Sequence, residues 1–160
     1  MPLSKIDSDS LNSGVPTRAQ LPAGSVLQVV SATTTTTTTT TSSSYVDTAL
    51  SASITPSSAS NKVLVLVTGG IQVNDLGNVY GDGWANITRG ATNISETRVA
   101  INFGSTTWND FISAVPISHL DSPSTTSATT YKVRIYSSNS QIVYPSGSTA
   151  ATITLMEIAA

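Results

Sequence analysis

Few side chains in this sequence could start chemistry, and His119 comes first because it is the only histidine. Asp121 follows two positions later, so with serines throughout the chain a Ser–His–Asp triad is formally available. Nothing selects a nucleophile, however. No G-x-S-x-G elbow occurs, and the abundance of serine makes any pairing uninformative. A lone histidine also offers no His–His metal pair within one chain, although copies meeting on an axis would bring several imidazoles together. A surface position at a strand end is its plainer expectation. The second group is carboxylates beside aromatic rings. Asp75 and Asp82 flank a Gly-rich loop, and Asp110 follows Trp108 closely. A tryptophan next to a carboxylate can hold a sugar by ring stacking and hydrogen bonds, and paired carboxylates can hydrolyse one. Tyr80, Trp84 and Trp108 are the rings placed for such a contact. Competing with this, Asp in a Gly-rich loop is ordinary turn chemistry, and either tryptophan can belong to the core. The loop lacks the D-x-D-x-D-G…E order of a calcium hand. With no cysteine there is no thiolate nucleophile, no disulfide framework and no Cys-ligated metal. We therefore expect no catalytic residue, no metal site and no cofactor: a binding or structural protein rather than an enzyme.

The element that must position all of these is Lys62–Gly70, K-V-L-V-L-V-T-G-G. It carries five consecutive apolar residues, Val63 to Val67, between turn formers. The run is too short for a convincing helix and the right length for a buried strand. On a strand Val63, Val65 and Val67 share one face, and Leu64 and Leu66 the other. A half-buried sandwich strand needs only one apolar face, and each aliphatic side chain left in water forgoes roughly 1.5–3 kcal/mol. Leu64 and Leu66 thus predict a second covering layer. Another copy of the same chain is the simplest one, which makes them the candidate oligomer interface. The alternative cover is a loop or the Thr-rich stretch folding back over that face.

Around this strand the 160 residues fit one domain plus an arm. Hydrophobic residues make up 39% and charged residues 10%, well under the usual quarter, with Ser and Thr filling the difference. That composition favours β structure over helix or charge-driven disorder. A net charge of −2, with only seven scattered Lys and Arg residues, excludes a basic nucleic-acid surface. No apolar run reaches the roughly 18 residues of a membrane-spanning helix, and the opening M-P-L-S-K-I-D has no apolar signal core, so synthesis in a cytoplasm without secretion is expected. Residues 1–24 read as an extended arm interrupted by Pro2, Pro16 and Pro22, with Leu3, Ile6, Leu11, Val15 and Leu21 as isolated apolar anchors that order on contact with a neighbour. Residues 25–160 read as the head. Its expected strands are Ser25–Val30, part of the nine-threonine run Thr33–Thr41, Tyr45–Ile54, the central strand, the hairpin Trp84–Arg89 with Glu96–Phe103, Phe111–Ser118, Tyr131–Ser137, Gln141–Tyr144 and Ala151–Ile158. Ile71–Trp84 reads as irregular loop. About nine short strands with turns between them predict an all-β, antiparallel sandwich of jelly-roll type.

Four pieces of sequence carry a resemblance: L-P-A-G-S-V-L-Q-V-V (Leu21–Val30), S-I-T-P-S-S-A-S-N-K-V-L-V-L-V (Ser53–Val67), L-D-S-P-S-T-T-S-A-T-T-Y-K-V (Leu120–Val133) and I-T-L-M-E-I (Ile153–Ile158). Together they resemble small virion proteins of tailed bacteriophages of aquatic and cyanobacterial hosts, described as tail-fibre or structural proteins. The opening P-L-S-K-I-D-S-D-S-L is similar to the attachment arm of such fibres. The resemblance covers most of residues 20–160 and is weakest over 71–107. It implies a homotrimeric β-sandwich head in a virus particle, partnered by itself and by tail, baseplate or capsid proteins, with residues 1–24 as the attachment arm. It implies a tail fibre attached to the tail or baseplate, or alternatively a capsid decoration or capsid-fibre protein; for a fibre that touches the host, the rings Tyr80, Trp84 and Trp108 noted above are the expected contacts to a surface glycan. It carries no catalytic motif.

Overall fold

The structure, a computed structural model, describes residues 21–74, 76, 80–102, 111–147 and 149–160. Within them the chain forms β1 (Val26–Thr34), β2 (Thr38–Thr40), β3 (Val46–Ile54), β4 (Lys62–Thr68), β5 (Gly70–Asn74), β6 (Tyr80–Arg89), β7 (Thr92–Asn102), β8 (Phe111–Ala114), β9 (Ile117–Asp121), β10 (Thr129–Ser137), β11 (Gln141–Tyr144) and β12 (Ala151–Ile158). The described residues contain no helix, as the composition predicts.

Two of the sheets are halves of one. The lateral order β1-β12-β4-β9 is repeated as β2-β11-β5-β8. Each strand of the first half runs into its counterpart in the second, through residues 35–37, 69, 115–116 and 145–150. The result is a broad four-stranded sheet broken along a crease. Pro116 and Pro145 sit on that line, where a residue without an N–H interrupts a ladder at least cost. Backbone bonds across it hold the halves together, Val115 N to Gly69 O at 2.9 Å and Ser146 N to Gly70 O at 2.8 Å. The threonine run crosses the same line. Thr33 and Thr34 end β1 and Thr38–Thr40 form β2, while Thr34 Oγ1 accepts from Thr36 N at 3.0 Å in the link.

The facing sheet has the order β3-β10-β6-β7. Every pairing is antiparallel, and the chain passes repeatedly between the creased sheet and the facing sheet. Two four-stranded sheets wound in this way are a jelly roll, and the predicted fold class holds. The core lies between them. Val63, Val65 and Val67 are at most 1% exposed and share one core cluster with Leu50, Ile87, Val133, Ile135 and Leu155. Leu64 and Leu66 turn to the outer face, where they are half-buried.

Two expectations are corrected. The irregular stretch after Gly70 contains β5 and the start of β6, strands hidden by their Gly, Asn and Asp content. Phe111–Ser118 is two strands separated at Val115-Pro116, because the crease passes there.

Candidate functional site

The inner face of the sandwich holds two buried polar clusters, and both tie the molecule together. Glu157, on β12, is fully buried. Its carboxylate accepts from Gln28 Nε2 at 2.7 Å, Ser57 N at 2.6 Å, Ser57 Oγ at 2.7 Å and Asn61 Nδ2 at 2.6 Å. Burial alone would raise its pKa, but the donors of Asn61, Ser57 and Gln28 outweigh that and hold it down at about 2. Asp121, on β9, accepts from Arg89 Nη1 at 2.9 and 2.8 Å through its two oxygens and from Tyr131 Oη at 2.7 Å. This joins the edge of the creased sheet to β6 and β10. Burial, followed by the Asp121 carboxylate, raises the pKa of the Tyr131 phenol.

His119 is half-buried in the middle of β9, opposite Val65, rather than at a strand end. Its expected triad partner Asp121 has both oxygens engaged by Arg89 and Tyr131, so the acid that would orient the imidazole is already committed. Among the described residues, no three His, Cys, Asp or Glu side chains converge in a way that could hold a metal ion.

The outer faces differ sharply in chemistry. On the facing sheet, Tyr136, Trp84 and Arg98 stand in one register row across β10, β6 and β7. Trp84 stacks on Tyr136 with ring centroids 5.5 Å apart and planes 7° apart, while the Arg98 guanidinium lies 5.1 Å from the centroid of the Trp84 ring. Tyr45 meets Tyr136 edge-on at 4.6 Å, its hydroxyl donates to Glu96, and Arg134 lies over its ring at 5.6 Å. Burial, and then Glu96, raises the pKa of the Tyr45 phenol. Asp82 pairs with Arg98 at 2.8 Å and accepts from Ser138 Oγ at 2.5 Å; these bonds lower its pKa against the opposing effect of burial. Asp47 binds Lys132 Nζ at 2.5 Å and lies 2.9 Å from Arg134 Nε. Opposite charges therefore alternate over a ladder of rings. Trp84 has one flank on Tyr136 and the other beneath Arg98, so a sugar stacking on its face would have to displace the arginine.

On the creased sheet the outer face is almost uncharged. Val29, Met156, Leu64 and Leu120 are direct partners across all four strands and make one apolar row. Val29 is 56% exposed and Leu120 49%. The next row is Ser31, Thr154, Leu66 and Ser118, and beyond it lie Thr33, Thr152 and Thr68. Their hydroxyls pair along the rows, Ser31 with Thr154 at 3.2 Å and Thr33 with Thr152 at 3.0 Å. Lys62 is the single charged side chain on this face among the described residues.

No family model matches the chain, and no curated protein matches it. Solved structures do. The infectious bursal disease virus Gt strain structure aligns at TM-score 0.42 and 17% identity, over 92% of this chain and 42% of that one. Infectious bursal virus derived T=1 particles align at 0.38 and 16%, over 100% of this chain and 41% of that one. The VP2 subviral particle of infectious bursal disease virus aligns at 0.36 and 18%, over 85% and 38%. The chain thus spans about two fifths of the length of these structures, and a likeness at this level assigns it no function.

Of the remaining residues singled out by sequence, Tyr80 opens β6 and is 60% exposed. Leu21 is half-buried and, with Leu27, Ser57, Asn61 and Ala160, lines a cavity of about 350 Å³ at the end of the sandwich. Leu3, Ile6, Leu11, Val15, Asp75, Trp108 and Asp110 lie outside the described residues. Sequence reasoning passed over Glu157, Arg89, Asp121 as an ion-pair partner, and the Tyr45–Tyr136–Trp84–Arg98 ladder. The signal for Glu157 was there: it falls in phase with Ile153 and Leu155 on the buried face of β12.

Proposed function

We propose that the chain is a structural protein of a virus particle, a jelly-roll subunit that assembles with copies of itself, as a homotrimer, and with other virion proteins. The supporting observation is the opposed chemistry of its two outer faces. The creased sheet offers a nearly uncharged surface with an apolar row, which loses little on leaving water and carries no like charges to repel a neighbour. The facing sheet carries its charges in ion pairs, Arg98 with Asp82 and Lys132 and Arg134 with Asp47, and suits solvent. Capsid domains share this fold with lectins and cupins, so the choice rests on the faces and not on the fold. A nearly uncharged face spanning four strands suits repeated packing against the regular surface of a capsid. The first reading is accordingly a capsid decoration or capsid-fibre protein, with residues 1–24 gripping the layer below.

The second reading is a tail fibre attached at the baseplate and touching the host. It draws on the sequence resemblance of the arm and on the exposed Tyr80 near the charged aromatic ladder. Locating the protein on intact particles by cryo-electron microscopy, with capsid and tail classified separately, distinguishes the two. Capsid density is expected, tail density moves the protein to the second reading, and absence from both overturns the virion proposal. Under the second reading, alanine at Tyr80, Trp84 and Trp108 lowers adsorption to host cells several-fold; unchanged adsorption removes those rings from the contact.

A further inference from the structure

We infer that the outer face of the facing sheet holds a binding site for a neutral sugar ring, covered in the unliganded subunit by Tyr45. The floor of the site is the register row Arg134, Asn86 and Glu96, on β10, β6 and β7. Asn86 belongs to the outer face, since its neighbours Ala85 and Ile87 point into the core, yet it is only 1% exposed. The cover is Tyr45. This residue stands one position before the Val46–Ile135 pair, on the β3 side of the sheet, and its hydroxyl donates to Glu96 on β7. The two side chains therefore meet across β10 and β6, above Arg134 and Asn86. Beneath them Asn86 Oδ1 has no hydrogen-bond partner. Nor has Arg134 Nε, which lies 2.9 Å from Asp47 Oδ1 as an ion pair without an N–H aimed at it. A buried acceptor without a donor destabilises the closed arrangement, and here it stands beside a buried donor in the same condition.

One ligand hydroxyl answers both atoms, because it donates to Asn86 Oδ1 and accepts from Arg134 Nε. A water would answer them too, but the surroundings are built for more. Glu96 is exposed and, once Tyr45 leaves it, accepts from a second hydroxyl. The adjoining row holds the rings of Tyr136 and Trp84, an apolar wall for the C–H face of a sugar. Charge is balanced around the row: Arg98, Arg134 and Lys132 stand against Asp82, Asp47 and Glu96, which gives an ionic ligand no advantage. Tyr45 has the freedom to open. It lies in the link before β3, outside the ladder, and Arg134 Nη2 donates to its carbonyl at 2.8 Å, so the ring swings while the backbone stays. The slot it leaves is the footprint of one phenol, close to that of a pyranose. The site is distinct from a stack on Trp84, whose flanks are taken, and the inference holds for the isolated protein wherever it resides.

Isotope-labelled full-length protein is titrated with glucose, galactose and N-acetylglucosamine in turn, with glycerol and sodium sulfate as controls, and the side-chain amide signals of Asn86 are followed by NMR. At least one sugar is expected to shift those signals where neither control does. Tyr45→Ala removes the cover and should tighten that binding several-fold, because the open state no longer has to be selected. Asn86→Leu should abolish binding while raising the melting temperature, since an unsatisfied polar atom leaves the sheet. Asn86→Ala tests the same atom should the leucine variant not fold. Silence from every sugar, in the native chain and in Tyr45→Ala alike, overturns the inference in favour of a structural water. Binding that survives loss of the Asn86 amide overturns it as well, and a shift with sulfate as large as with sugar replaces it by an anion site on the arginines. Binding of a sugar and of its methyl glycoside alike supports a unit within a glycan chain, whereas binding of the sugar alone supports a soluble one. None of these outcomes moves the protein between capsid and tail, so the site stands or fails apart from the proposed location.

Discussion

At the scale of single residues the most informative group is Glu157, a carboxylate with no access to water that stays ionised because four donor contacts converge on it. Its pKa falls from the ordinary 4.5 to about 2 on folding. A depressed carboxylate contributes stability above its unfolded pKa and loses it as pH falls toward the folded one. The contribution is therefore complete above about pH 5, worth about 3 kcal/mol at 1.36 kcal/mol per unit, and disappears between pH 4.5 and 2. Glu157→Gln keeps the volume but turns an amide N–H₂ toward groups that are themselves donors. We expect it to cost about 3 kcal/mol at pH 7, and urea unfolding at pH 7 and pH 3 to show a smaller pH dependence than the native chain. Equal pH dependence in both proteins would mean that the carboxylate is not the group whose protonation is felt. The residue shows what a sequence pattern conceals: the alternation of β12 placed Glu157 in the core, but the partners that make this tolerable come from Gln28 and the 57–61 loop, far away in sequence.

At the scale of elements, alternation made β3, β4, β10 and β12 legible, because one face of each is buried and the other is not. It failed where a strand's residues answer to a close neighbour instead of to a core face. Gly83, in the part of β6 read as loop, lies where a Cβ would come within 2.5 Å of Ile142 Cδ1. The crease was equally hidden. Neither the threonine run, nor Gly69, nor Val115-Pro116 signals a break alone; the line exists only when four strands are set side by side. Gly69 lies on it with little room, since an added Cβ would stand 2.9 Å from both Ala151 Cβ and Tyr144 Oη. The alanine methyl cannot rotate away and Tyr144 is fully buried, so β12 or β11 must shift. Gly69→Ala should destabilise the protein by about 2 kcal/mol, read as a lower urea midpoint with an unchanged slope. A change under about 0.5 kcal/mol would mean that the crease is slack.

For the whole molecule, the sequence indicated a doubled surface on β4 but not its extent. Leu64 and Leu66 drew notice because they sit in an unbroken apolar run, whereas Val29, Leu120 and Met156 look unexceptional until the register aligns them with Leu64. The charged aromatic face was invisible for the same reason, its members coming from four strands. This polarity leads to a prediction about assembly. Met156 is the inner member of the row on β12, between Val29 and Leu64, and only half-buried in the single subunit. Met156→Lys can lay its methylenes along the sheet and raise its ammonium into water, so the subunit should fold with a melting temperature within a few degrees of the native value. In an assembly that buries the row, the same ammonium is desolvated without a partner. Incorporation into particles, measured by mass spectrometry of virions from a complemented infection, should fall tenfold or more. Arg98→Ala on the opposite face serves as the control and should leave incorporation unchanged. Normal incorporation of Met156→Lys would show that the creased sheet stays in solvent; loss of incorporation with Arg98→Ala alone would transfer the assembly surface to the aromatic face.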